Sequence, residues 1–138
     1  MKKMSYKIIG KYIKDLNFNI PNPKTFFLLS KNISKYKINI DINSNQINHK
    51  VIEILTSLSL TTIDADIEKI NTKIVFSTIV ELGEDKIEKN EMEKIILIKV
   101  PSEIYSELRG IFIFLFEKSG FKDIKINEAV DFEKLYKM

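Results

Sequence analysis

The sequence runs to 138 residues, enough for one domain with a core of its own. With 44% hydrophobic and 30% charged residues it is neither a disordered tail nor a membrane protein. It has no cysteine and one histidine, His49, which excludes disulfide frameworks, thiol nucleophiles and the common zinc patterns. The net charge of +3 is carried by scattered lysines, with Arg109 the only arginine, which speaks against a nucleic-acid reader. The longest apolar run, Ile111 to Phe116, falls far short of the ~20 residues that span a bilayer. No apolar stretch follows Met1-Lys-Lys, so no export signal is read; a cytoplasmic location without membrane insertion is expected.

Tyr6 to Ile20 predicts a first strand, with Leu16, Phe18 and Ile20 on one face and Asp15, Asn17 and Asn19 on the other. Gly10 is a place for a bulge or twist. Pro21 and Pro23 end the strand, because proline cannot donate to a sheet ladder. Residues 21–34 read as a connector carrying an apolar patch, Phe26 to Leu29. Tyr36, Ile38, Ile40 and Ile42 alternate with Lys37, Asn39, Asp41 and Asn43, a second strand, before a polar turn from Asn43 to His49. A third strand runs from Val51 to Ile63, with Ile52, Ile54, Leu58 and Leu60 opposed to Glu53, Ser57, Ser59 and Thr61. In a fourth, Lys73 to Leu82, Phe76, Thr78, Val80 and Leu82 oppose Val75, Ser77, Ile79 and Glu81. Short polar turns join the last three strands, so the simplest sheet is antiparallel, with one face packed and one wet.

Met92 to Val100 suits either strand or helix. Pro101-Ser102-Glu103 predicts the start of a helix that stops at Gly120. Ile104, Leu108, Ile111 and Leu115 make one stripe on it, and Tyr105, Phe112 and Phe116 a second. One sheet covers one stripe, so Phe112 and Phe116 are expected against a second subunit or an apolar ligand. An extended segment, Phe121 to Ala129, leads to a short helix from Asp131 to Lys137.

No catalytic constellation is present: no Ser-His-Asp set, no glycine-rich phosphate loop and no histidine pair, so neither an enzyme nor a cofactor is expected. Asp64, Asp66 and Glu68 would align on a strand and could hold a hard cation, but a solvated hairpin arm is the plainer reading, and no metal site is expected. His49 reads as a surface turn residue. Phe18, Phe26, Phe27, Phe112 and Phe116 read either as core or as a groove for extended apolar peptide. Asp15 and Glu81 are wet-face carboxylates or an acidic docking patch.

The stretch Tyr12-Ile-Lys-Asp-Leu-Asn-Phe with Pro21-Asn-Pro resembles the opening of the export chaperone family SecB. The resemblance continues in Lys37 to Asp41, Val51 to Ile54, Pro101, Arg109, Gly120-Phe121, and Val130-Asp-Phe with Leu135-Tyr. It implies one SecB-like α+β domain over residues 1–138: a four-stranded antiparallel sheet with one long and one short C-terminal helix packed on one face. It also implies an ATP-independent holdase that assembles as a homotetramer, a dimer of dimers, binds unfolded precursor polypeptides in hydrophobic grooves, and delivers them to the SecA motor. Carried over by position, the client groove is expected at Phe18, Phe26, Phe27, Tyr36, Ile38 and Ile40, and the motor-docking face at Asp15, Ile79 and Glu81. The sequence departs from the family pattern in its positive charge, and in Asn19, Asn17 and Lys122 where Glu, Ser and Pro are typical. Two alternatives are a SecB-like holdase dedicated to one client, such as an antitoxin, and a module for a small apolar ligand.

Overall fold

Four strands, β1 (Tyr6–Asn19), β2 (Tyr36–Asn48), β3 (Val51–Thr62) and β4 (Asn71–Leu82), make an antiparallel sheet in the order β1-β4-β3-β2. The computed structural model describes residues 6–31, 36–62, 71–83, 87–121, 126 and 129–137, without the side chains of residues 36, 37, 61, 62 and 71. Strands β2, β3 and β4 form the expected meander, and β1 pairs with β4, which leaves β1 and β2 as edges. The second strand is longer than its alternation suggested, continuing to Asn48, where the Asn48 side chain accepts the Lys50 N–H at 2.9 Å and closes the hairpin.

Strict alternation does not carry β1 through its length. Its register with β4 skips Ile9, between Ile8 and Gly10, and Lys14, between Ile13 and Asp15. Each extra residue turns the side chains beyond it to the opposite face. Ile8 therefore packs on the core, Tyr12 reaches across the outer face, and Phe18 is back on the core side. A bulge beside Gly10 agrees with the sequence; the one at Lys14 has no sign in the pattern.

The inner face carries two apolar clusters. One gathers Leu58, Leu60, Ile74 and Phe76 with the helical residues Leu108, Phe112 and Phe116; the other gathers Ile52, Ile54, Val80 and Leu82 with Ile95 and Val100. Buried Thr56 and Thr78 stand on the same face between them.

The connector after β1 contains a helix, α1 (Pro23–Lys31). The Asn22 side chain accepts the Thr25 N–H at 2.8 Å, and Pro23 fills the first helical position, where no donor is needed, so the prolines that stop the strand also start a helix. Leu29 anchors α1 in the core.

The expected helix start at Pro101 is corrected. The chain is already helical in α2 (Lys89–Lys94), widens to a π-helix over Ile95–Lys99, and continues as α3 (Val100–Lys118), with helical dihedrals at both junctions. Pro101 has no N–H and cannot complete a regular turn, and the wider π turn accommodates the mismatch. Ser102 does not cap; its hydroxyl donates back to the Ile98 carbonyl at 2.5 Å. Gly120, at φ +99°, ends α3 as expected: Phe121 N–H bonds the Phe116 carbonyl and Gly120 N–H the Glu117 carbonyl.

Phe112 and Phe116, expected at a subunit interface, are fully buried within a single chain. Their stripe adjoins that of Ile104 and Leu108, so both fall on one broad arc against the sheet, with β1, α1 and the C-terminal segment covering what the sheet does not. Short α4 (Phe132–Lys137) packs on the π-helix, and the Arg109 side chain donates to the Ile126 carbonyl at 3.1 Å. Two polar contacts tie β1 to α3. Lys11 meets Glu107 at 2.7 Å, and the Tyr6 hydroxyl bonds Glu103; burial first, then that carboxylate, push the Tyr6 hydroxyl up to about 12.

Candidate functional site

The end of β1, the start of α1 and the end of α3 converge on the inner side. Phe18 meets Phe116 edge to face with centroids 4.8 Å apart, Phe116 lies 5.7 Å from Phe121, and Phe121 lies 4.9 Å from Phe26. Gly120 lets Phe26 approach: a Cβ at Gly120 would stand 3.0 Å from that ring. Above these rings lies an open cavity of about 510 Å³, walled by Phe18, Ile20, Pro23 and Phe26 and edged by Asn19, Asn22 and Ser119. No charged side chain lines it. Apolar walls edged by amide and hydroxyl groups suit an apolar side chain with its backbone held at the rim.

The expected groove residues come together only in part. Phe18 and Phe26 wall the cavity; Phe27, 68% exposed, stands beside Phe26 at 5.5 Å but outside the lining. Ile38 and Ile40 lie on the opposite edge strand, half-buried against the core, and the Tyr36 side chain lies outside the described residues.

On the outer face, Asp15 stands opposite Val75, Ile79 opposite Gly10 and Glu53, and Glu81 opposite Lys7 and Val51. Asp15 and Glu81 share a face as expected, but the run from Val75 to Glu81 separates them by roughly 20 Å at the rise of a strand. The centre of this face is not wet. Glu53, only 8% exposed, accepts hydrogen bonds from Tyr12 at 2.7 Å, Ser77 at 2.7 Å and Lys14 at 3.1 Å. The Ser77 and Tyr12 hydroxyls, aided by Lys14, hold its carboxyl at about 2, well below the usual range. Sequence reading missed this cluster, since a lone Glu between two isoleucines gives no hint that an edge strand two places away will cover it. Among the described residues no group of His, Cys, Asp and Glu is placed to hold a metal; Asp64, Asp66 and Glu68 lie outside them. No described helix is long and apolar enough to cross a membrane.

The family described as preprotein translocase subunit SecB matches residues 1–138. The chain belongs to the SecB family. It is 41% identical over 133 residues to the SecB relative of Pelagibacter ubique, covering 96% of this chain and 95% of that one. It is 28% identical over 145 residues to the protein-export protein SecB of Anaplasma marginale, covering 94% and 79%. The Mycobacterium tuberculosis SecB-like chaperone, solved in complex with a ChAD peptide from an antitoxin, superposes with a TM-score of 0.61 at 12% identity over 88% of this chain and 90% of that one.

The chain is accordingly a SecB-like chaperone of protein export, a non-catalytic protein with the α+β fold of that family. Within that frame the outer face is close to charge balance: exposed Asp15, Asp41 and Glu81 share it with Lys7, Lys73 and Lys14, the last bonded to Glu53.

Proposed function

We propose that this protein holds unfolded precursor polypeptides with the cleft at Phe18 and Phe26 as the anchoring site, assembles as a homotetramer in the cytoplasm, and presents its outer sheet face to a SecA-like motor. The observation that carries client holding is the uncharged aromatic cavity beside the exposed Phe27 ring. Ile38 and Ile40, half-buried on the far edge strand, offer a second apolar stretch apart from this cleft.

Assembly is supported by β1 and α3. Among the described residues β1 is an edge strand whose outer backbone groups meet no other strand, and it carries Ile9, Ile13 and Leu16 at 50%, 44% and 46% exposure. Phe114 of α3 adds a ring at 55% exposure. These residues, in place of Phe112 and Phe116, are the surface that a second copy covers.

The test joins native mass to suppression of aggregation of an unfolded client without nucleotide. A tetramer that delays aggregation is expected; a monomer that never delays it rejects the reading. Docking is tested separately: Asp15→Ala with Glu81→Ala should weaken binding of the motor's C-terminal tail and leave client holding intact. The near-balanced charge of the outer face favours a second reading, a holdase dedicated to one client, and an unchanged tail titration in the double variant would select it.

A further inference from the structure

We propose that Glu53 is a positioning residue for both faces of β1: by gripping Tyr12 and Lys14 it holds the bulge at Lys14, and that bulge decides where Asp15 and Phe18 point. The register pairs Ile13 with Phe76 and Asp15 with Val75, passing over Lys14. Were the bulge lost, Lys14 would pair with Val75, and every later residue of β1 would move one step and change face. Asp15 would then turn under the helices and Phe18 would leave the cavity for the outer face.

The ladder to β4 alone holds this irregularity weakly, because β1 is an edge strand with no partner among the described residues on its far side. Glu53 supplies the missing restraint from two strands away. Tyr12 and Ser77 bond one carboxylate oxygen and Lys14 the other, so the residues flanking Ile13 end on a single buried group. In a bulge two residues stand opposite one, which keeps Lys14 nearer Glu53 than a regular ladder would leave it, by at most about one residue step, roughly 3.3 Å. Losing the bulge would therefore strip a charged donor from a carboxylate that is 8% exposed. That this matters for function rests on the cleft-and-docking reading above; that Glu53 holds the register does not.

The chain contains no cysteine, so cysteine pairs report the register directly. Asn17→Cys with Lys73→Cys places thiols at facing positions in the observed register, whereas Leu16→Cys with Lys73→Cys faces them only when the bulge is lost. On mild oxidation the first pair should close and the second should not. In a Glu53→Gln background the ratio of first to second crosslink should fall about tenfold, the scale set by one charge-assisted hydrogen bond. Tyr12→Phe with Lys14→Gln, which keeps the carboxylate and its Ser77 bond, should shift the ratio the same way and decides the matter if Glu53→Gln does not fold. A ratio that stays constant in the folded variants overturns the proposal, since a loss of stability alone would not favour the slipped pair. A shifted ratio with client holding and tail binding both unchanged leaves Glu53 as the register lock and rejects the cleft-and-docking reading instead.

Discussion

The rings of Phe18 and Phe116 meet edge to face, 4.8 Å between centroids and 78° between planes, joining the last turn of α3 to the far end of an edge strand. Phe116 is fully buried and Phe18 half-buried, so Phe18 lines the cavity while Phe116 backs it from within the core.

That division makes Phe18→Ala informative. Phe18 is not fully buried, so the cost should be about 2 kcal/mol, below the 3–5 of a fully buried phenylalanine, as read from urea unfolding. Client holding should fall with it. Phe27→Ala, at a side chain 68% exposed, should leave stability within about 0.5 kcal/mol and still weaken holding.

Two phenylalanines two residues apart on α3 should respond oppositely to a carboxylate. Phe116→Asp buries an unpaired charge in the chain's own core and should abolish folding, seen as loss of cooperative unfolding by circular dichroism. Phe114→Asp, at 55% exposure, should keep the fold and reduce the sedimenting mass. A folded Phe116→Asp that merely dissociates would restore the interface assignment made from the helix stripe.

The two glycines of the α3 region make a second contrast. Gly120→Ala forces a left-handed residue to carry a Cβ 3.0 Å from the Phe26 ring, and should cost about 1–2 kcal/mol. Gly110 sits inside α3 with nothing within 4 Å of a Cβ, so Gly110→Ala should stabilise by up to about 1 kcal/mol. The thermal midpoints of the two variants should move apart.

Acid titration reports on Glu53. Its carboxyl is lowered from 4.5 in the unfolded chain to about 2, so its contribution is complete above about pH 5 and is lost as pH falls through the folded value. Allowing for solvent screening, stability should drop by about 1–2 kcal/mol between pH 5 and pH 2. Urea midpoints across that window should show this limb, and Glu53→Gln should flatten it.

Local pattern accounts for most of what was legible. The alternation of Ile52, Ile54, Leu58 and Leu60, and of Phe76, Val80 and Leu82, marked the two central strands and their inner face, because a half-buried strand has a period of two. Gly120 marked the end of α3 because few other residues accept its backbone angle. The cleft was half legible: Phe18 and Phe26 were named for it, while Asn22 and Ser119 were not, since a polar rim leaves no periodic trace. Phe112 and Phe116 misled because stripe counting assumes a flat sheet as the only cover, whereas Phe18, Phe121 and Leu29 close around them.

By itself the sequence determined the antiparallel meander of β2, β3 and β4, the long C-terminal helix and the family likeness, all of which rest on short-range spacing. Only the tertiary structure decided that Pro23 opens a helix, that Pro101 sits inside one, and that bulges beside Gly10 and at Lys14 turn Tyr12 to the outer face and return Phe18 to the core side. The reason is one of range. The periods of strands and helices are set by neighbouring residues, but the bulge at Lys14 is held by Glu53, which lies 41 positions from Tyr12 along the chain and meets it at 2.7 Å only once the sheet has formed.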